Sequence, residues 1–115
     1  MITVKHAYDP AEASDNQRIL VDRLWPRGIS KETLHLTEWI KEIAPSTELR
    51  KWFNHEPPKW EEFSRRYREE LEQHPKEVEQ LLSLARLGDV TLLYGAKEAR
   101  YNNAVVLKSY LEEKL

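Results

Sequence analysis

The stretch RILVDRLWPRG, Arg18 to Gly28, changes character halfway along, and the fold turns on how that change is read. Ile19, Leu20 and Val21 form the short apolar, partly β-branched run that a buried strand requires. Asp22, Arg23, Trp25, Pro26, Arg27 and Gly28 then follow within a few positions. Gly28 can supply the positive φ of a turn, but the charges and the indole exceed what a turn needs. The pattern predicts a strand over Arg18 to Leu24 that delivers polar groups to its carboxyl end. The plainer reading is a structural strand end, with Asp22 paired to a neighbouring arginine and Trp25-Pro26 plugging the sheet edge.

Two further segments read as strands. ITVKH, Ile2 to His6, alternates apolar and polar residues, and VTLLY, Val90 to Tyr94, is an apolar run bounded by Gly88-Asp89 and Gly95. Between the second and third strands the pattern is helical. Leu36, Trp39, Ile40 and Ile43 recur at helical spacing up to Pro45, which predicts a helix over Leu36 to Ala44. Ser46 is a good N-cap for TELRKWF. In PKWEEFSRRYREELEQH, proline and acids come first, and Trp60, Phe63, Tyr67 and Leu71 share one face. Pro75 restarts a helix striped by Val78, Leu81, Leu82 and Ala85, and Asn102 or Asn103 can cap the last one. Strands separated by long helical stretches predict an α/β fold: a short, mainly parallel sheet of three strands covered by several helices.

In open parallel sheets, ligands bind outside the carboxyl ends of the strands. Two loops reach that edge, Asp22 to Gly28 and Tyr94 to Asn103. Asp22, Arg23 and Arg27 form one wall of a candidate site, and Lys97, Arg100 and Asn103 the other, with Trp25 and Tyr94 as apolar lining. The start of the last helix adds free N–H groups and positive potential, and arginine grips phosphate or carboxylate by two bonds. The set points to a small anionic ligand, with Asp22 the acid placed to orient an arginine or accept a proton.

Composition narrows the alternatives. A chain of 115 residues is one domain by length, spanning 1–115, and it contains no cysteine, which excludes disulfides and thiolate chemistry and suits a reducing cytoplasm. Net charge is −2 although a third of the residues are charged, so neither nucleic acid nor a membrane surface is favoured. The first residues lack a signal peptide's apolar core, and no run is long enough to span a bilayer. His6, His35, His55 and His74 stand apart without a ligand motif, and only three glycines are present, so neither a metal nor a nucleotide cofactor is implied. Arg65 to Arg68 is flanked by glutamates and reads as a solvated helix face. A competing function is a non-enzymatic interaction module: WFNHEPPKW, Trp52 to Trp60, sets three aromatics around rigid prolines as a docking surface.

Three segments carry a resemblance: VDRLWPRGISKE, EWIKEIAPSTELRKWFNHEPPKWEEFSRRYREEL and VTLLYGAKEARYNNAVVLKSYL. Together they resemble the YeaO-like group of the domain-of-unknown-function-488 family over nearly the whole chain. The family has no settled biochemical activity. Its longer members resemble rhodaneses in outline, with a cysteine-bearing loop after a late strand. The corresponding loop here is Tyr94-Gly95-Ala96-Lys97, without a cysteine. Sulfur transfer through a cysteine persulfide is therefore excluded, while the implied position of the pocket stands.

Overall fold

The computed structural model describes residues Met1–Leu115. Four strands form one sheet: β1 (Ile2–His6), β2 (Gln17–Leu20), β3 (Glu38–Trp39) and β4 (Val90–Tyr94). Their order is β1-β4-β2-β3, and every pairing is parallel. Leu92 lies opposite Val4 on one side and Ile19 on the other. Five helices complete the fold: α1 (Lys31–Leu34), α2 (Thr47–Phe53), α3 (Trp60–Glu72), α4 (Pro75–Leu87) and α5 (Asn103–Glu112). No helix is long and apolar enough to cross a membrane.

The sheet has four strands, not the three that the sequence pattern predicts. The additional strand lies inside the stretch predicted as a helix over Leu36 to Ala44. There the backbone pairs with β2 instead of with itself: Thr37 N donates to Arg18 O (2.8 Å) and Ile40 N to Leu20 O (3.1 Å). The Thr37 hydroxyl also accepts from Arg18 N (3.0 Å). A free β2 edge offers the same apolar side chains a way to be buried, and tertiary pairing overrides a helical period that short. Only a 3₁₀ turn, Lys41–Ile43, remains helical. β2 is correspondingly shorter than Arg18 to Leu24, because regular pairing stops near Val21.

Side chains alternate across β4. Val90, Leu92 and Tyr94 enter the larger core beneath α2 to α5, with Ile19, Val21, Phe63, Tyr67, Leu71, Leu81 and Leu107. Leu93 faces the other way, joining Leu20, Leu34 and Ala7 in a smaller core roofed by Trp25, Ile29, Leu36 and Trp39. Burial on both faces is why this strand reads as an apolar run interrupted only by Thr91.

Local signals set the helix ends. Ser30, Ser46 and Asn102 each accept a hydrogen bond from the backbone N–H three residues on, at the starts of α1, α2 and α5. Ser46 N and Oγ also donate to the Glu70 carboxylate (2.8 and 2.6 Å), fixing α2 against α3. The predicted stripe of α3 is buried at Phe63, Tyr67 and Leu71, and the Tyr67 hydroxyl donates to Ile43 O (2.6 Å).

Charge is also buried on the side of the smaller core. The guanidinium of Arg18, 3% exposed, pairs with Asp15, and its Nε donates to Leu34 O (2.9 Å). Lys5 Nζ reaches the same carboxylate (3.0 Å). Burial pushes the Asp15 carboxyl up, but the Glu12 N–H, Lys5 and Arg18 outweigh it and hold it below its ordinary value.

Two outcomes follow for stability. Leu92 is fully buried in the central strand, so Leu92→Ala should cost about 2–5 kcal/mol in urea unfolding, with the denaturant slope unchanged. For Asp15, a folded pKa below the ordinary 3.8 contributes stability above that pH, and the contribution is lost as pH falls through the lowered value. Asp15→Asn should therefore be destabilised at pH 6, with its deficit relative to wild type shrinking below pH 4.

Candidate functional site

Where the parallel pairing ends, side chains continue it. Val21 N donates to Leu93 O (3.2 Å), the last regular rung between these segments. One step on, Gly95 N donates to Asp22 Oδ2 (2.8 Å) instead of to a carbonyl. Asn103 Nδ2, at the start of α5, donates to both Val21 O (3.0 Å) and Asp22 Oδ1 (3.1 Å). The two loops named from the sequence therefore meet, and Asp22 is the joint. Gly95 permits the approach, since a Cβ there would stand 3.2 Å from Asp22 Oδ2.

The joint forms part of a cavity of about 450 Å³. Asp22, Arg23, Asn102 and Asn103 line it from the sheet end and α5; Arg50 and Lys51 on α2, followed by Asn54 and His55, line it from the opposite side. The apolar lining is Ala44, Pro45, Phe53, Phe63, Ala96 and Tyr101. Phe53 and Phe63 stack at 4.4 Å, and Trp60 supports Tyr101 from 5.2 Å, so this wall is held by aromatic packing.

Electrostatically the cavity is lopsided. Asp22 is its only acid, and both oxygens take uncharged donors. Burial pushes its carboxyl above the ordinary aspartate range; the Gly95 N–H, the Asn103 amide and the charges of Arg50 and His6 pull it partly back. The buried Tyr67 hydroxyl is likewise raised, by burial first and by the charge of Asp22 second. Arg23 donates once, from Nη2 to Ala44 O (3.2 Å), and its Nε is buried without an acceptor. Arg23, Arg50 and Lys51 make no ion pair, whereas Lys5, Arg18, Lys59, Arg65, Arg66, Arg68 and Arg86 all do. Other cations of the chain also stand alone, but these three share one cavity.

Of the residues predicted from sequence, Asp22, Arg23 and Asn103 line this cavity together. Arg27, Lys97 and Arg100 are exposed and lie outside it. Tyr94 is buried in the larger core, edge-on to His6 at 5.4 Å. Trp25 packs in the smaller core across the sheet, edge-on to Trp39 at 5.4 Å, and its Nε1 donates to Ile29 O (2.6 Å). Neither aromatic lines the cavity. Sequence reasoning missed Arg50, Lys51 and His55. A signal existed for two of them, because Ser46 starts a helix whose last turn carries the consecutive cations Arg50 and Lys51.

The competing features are placed as follows. Trp52 is half-buried between Arg66 (4.3 Å) and Lys59 (5.1 Å), Phe53 is buried, and Trp60 is half-buried, so these residues form no continuous exposed aromatic patch. Arg65 and Arg66 pair with Glu62, and Arg68 pairs with Glu113. No three histidine, aspartate or glutamate side chains gather to hold a metal ion.

The chain is 53% identical over 110 residues to the uncharacterized protein YeaO of Escherichia coli (strain K12), covering 96% of each. It is 37% identical over 110 residues to the uncharacterized protein Rv3073c of Mycobacterium tuberculosis (strain H37Rv), covering 96% of this chain and 92% of that one. No solved structure matches, so the rhodanese-like outline has no structural neighbour behind it. A family model described as the inactive DUF488-N3 subclade matches residues 1–115, and the chain belongs to that family.

Proposed function

We propose that this chain binds a small anionic ligand in the cavity between the end of β2, the start of α5 and α2. One observation carries the reading: Arg23, Arg50 and Lys51 line a single cavity with no carboxylate partner, and Arg23 Nε is buried without an acceptor. A carboxylate or phosphate in the cavity would supply the counter-charge that these three cations lack. Arginine suits the task because its planar fork meets carboxylate or phosphate oxygens by two bonds.

Asp22 stands beside this cationic set as the only carboxylate lining the cavity. Cysteine-independent acid–base chemistry would run through it. The description of the family as inactive favours binding without turnover. A cysteine-free sequence is in keeping with the cytoplasm as the place where such a ligand is met. Docking of a protein partner on Trp52 to Trp60 has less support, since those rings are packed within the chain.

Thermal unfolding against phosphate, sulfate and small carboxylates tests the reading. A ligand at a hundred times its dissociation constant adds about 2.7 kcal/mol, on the order of 10 °C for a domain of this size. The shift should appear for at least one anion class and vanish in Arg50→Ala. Lys97→Ala and Arg100→Ala, outside the cavity, should leave it intact. No shift with any anion overturns the proposal.

A second test asks whether the α2 cations act at the cavity floor. Carboxyl-detected NMR titration should place Asp22 above the ordinary aspartate value of 3.8, and higher still in Arg50→Ala, which lacks a charge favouring the ionised form. For an acid raised in this way, folding stability declines as pH rises from 3.8 to the folded value and is level beyond it. An unchanged midpoint in Arg50→Ala would separate α2 from the site.

A further inference from the structure

Resting on the anion reading above, we propose that the ligand is a small organic acid: a carboxylate with a hydroxyl or amino group on the neighbouring carbon and an apolar body. Three observations converge on this class.

The first is size and lining. About 450 Å³ is room for about fifteen waters at about 30 Å³ each, far more than an inorganic oxyanion fills. It lies within the range of about 300–1,000 Å³ usual for organic ligands. Phe53, Phe63 and Tyr101 give the remaining space an aromatic wall that a bare anion would leave wet. An apolar body displaces that water with favourable free energy.

The second is Asp22. Its oxygens accept from Gly95 N and the Asn103 amide, yet a carboxylate has further lone pairs and no cation of the chain pairs with it. Against a pure anion, the acid would only repel. Against a ligand that carries a donor, it becomes an acceptor for that donor and discriminates against analogues lacking it.

The third is spacing. Asp22 and Arg23 are consecutive, so their Cα atoms are about 3.8 Å apart, and both line the same cavity. A ligand meeting both carries a donor as well as an anionic group, and a carboxylate with a hydroxyl or amino group on the next carbon is the most compact frame that does so. The Arg23 guanidinium, which the chain engages only through Nη2 to Ala44 O, takes the carboxylate. Arg50 and Lys51, which line the same cavity, add positive charge.

The experiment is calorimetric titration of wild-type protein with phenylacetate, phenyllactate, phenylalanine and inorganic phosphate, repeated on Arg50→Ala and Asp22→Asn. Phenyllactate or phenylalanine should bind about ten-fold or more tighter than phenylacetate, and phosphate more weakly than any of them. Asp22→Asn should erase the preference over phenylacetate, and Arg50→Ala should weaken all the aromatic acids. The panel on wild type decides the matter even if Asp22→Asn does not fold. Equal affinities for the three aromatic acids would overturn the role of Asp22 and leave an anion site. Phosphate binding as tightly as the aromatic acids would overturn the apolar body and leave an anion site. Failure of every compound, with Arg50→Ala indistinguishable from wild type, would overturn the anion reading itself.

Discussion

A parallel sheet must stop pairing somewhere, and the backbone groups exposed at that end need partners. Here the demand falls on Val21 and Gly95, just beyond β2 and β4. Side chains meet it: the Asp22 carboxylate takes the Gly95 N–H, and the Asn103 amide takes the Val21 carbonyl. The geometry of the cavity depends on this substitution. It draws the loop after β4 to the end of β2, seats the start of α5 against both, and draws a carboxylate out of water. The raised pKa of Asp22 is the consequence of that burial, which the Gly95 N–H and the Asn103 amide offset only in part.

The α2 side of the cavity has a separate origin. Pro45 stops the preceding segment and Ser46 starts α2, while Glu70 of α3 holds both the backbone and the hydroxyl of Ser46. Phe53 then stacks on Phe63, so both ends of α2 are tied to α3. Arg50 and Lys51 are carried on the part of the helix left facing the sheet end. The cations therefore stand on a braced element rather than on a free loop, which suits ligand recognition because little ordering remains to be done on binding.

Much of this fold is legible in the sequence. β1 and β4 follow from alternation and from an apolar run between glycines. α3 follows from Trp60, Phe63, Tyr67 and Leu71, and three caps fall on the residues best suited to them. That both loops belong at the carboxyl edge was legible too, but their meeting was not, because it depends on a strand order that the pattern leaves open. β3 was not, since two residues of edge strand leave no period of their own and Leu36 to Ile43 satisfies a helical one. Arg27, Lys97 and Arg100 look the same in sequence as Arg23, and only tertiary direction separates a lining cation from a solvated one. Arg50 and Lys51 were hidden by distance along the chain, and Trp25 by the face of the sheet it covers.

The strand order has a consequence for how the molecule comes into being. β1 and β2 do not touch as neighbours; β4 lies between them, and Thr3 meets Val90 across 87 positions of chain. On the ribosome, the middle of the sheet is therefore made almost last. Until Val90 to Tyr94 emerge, β1 and β2 have no strand to join them, and the helices made in the meantime have only part of a sheet to pack on. Closing so long a loop before any sheet contact repays it places this protein among the slower folders of its length. It also leaves apolar strands uncovered during synthesis, the period in which chaperones are needed most.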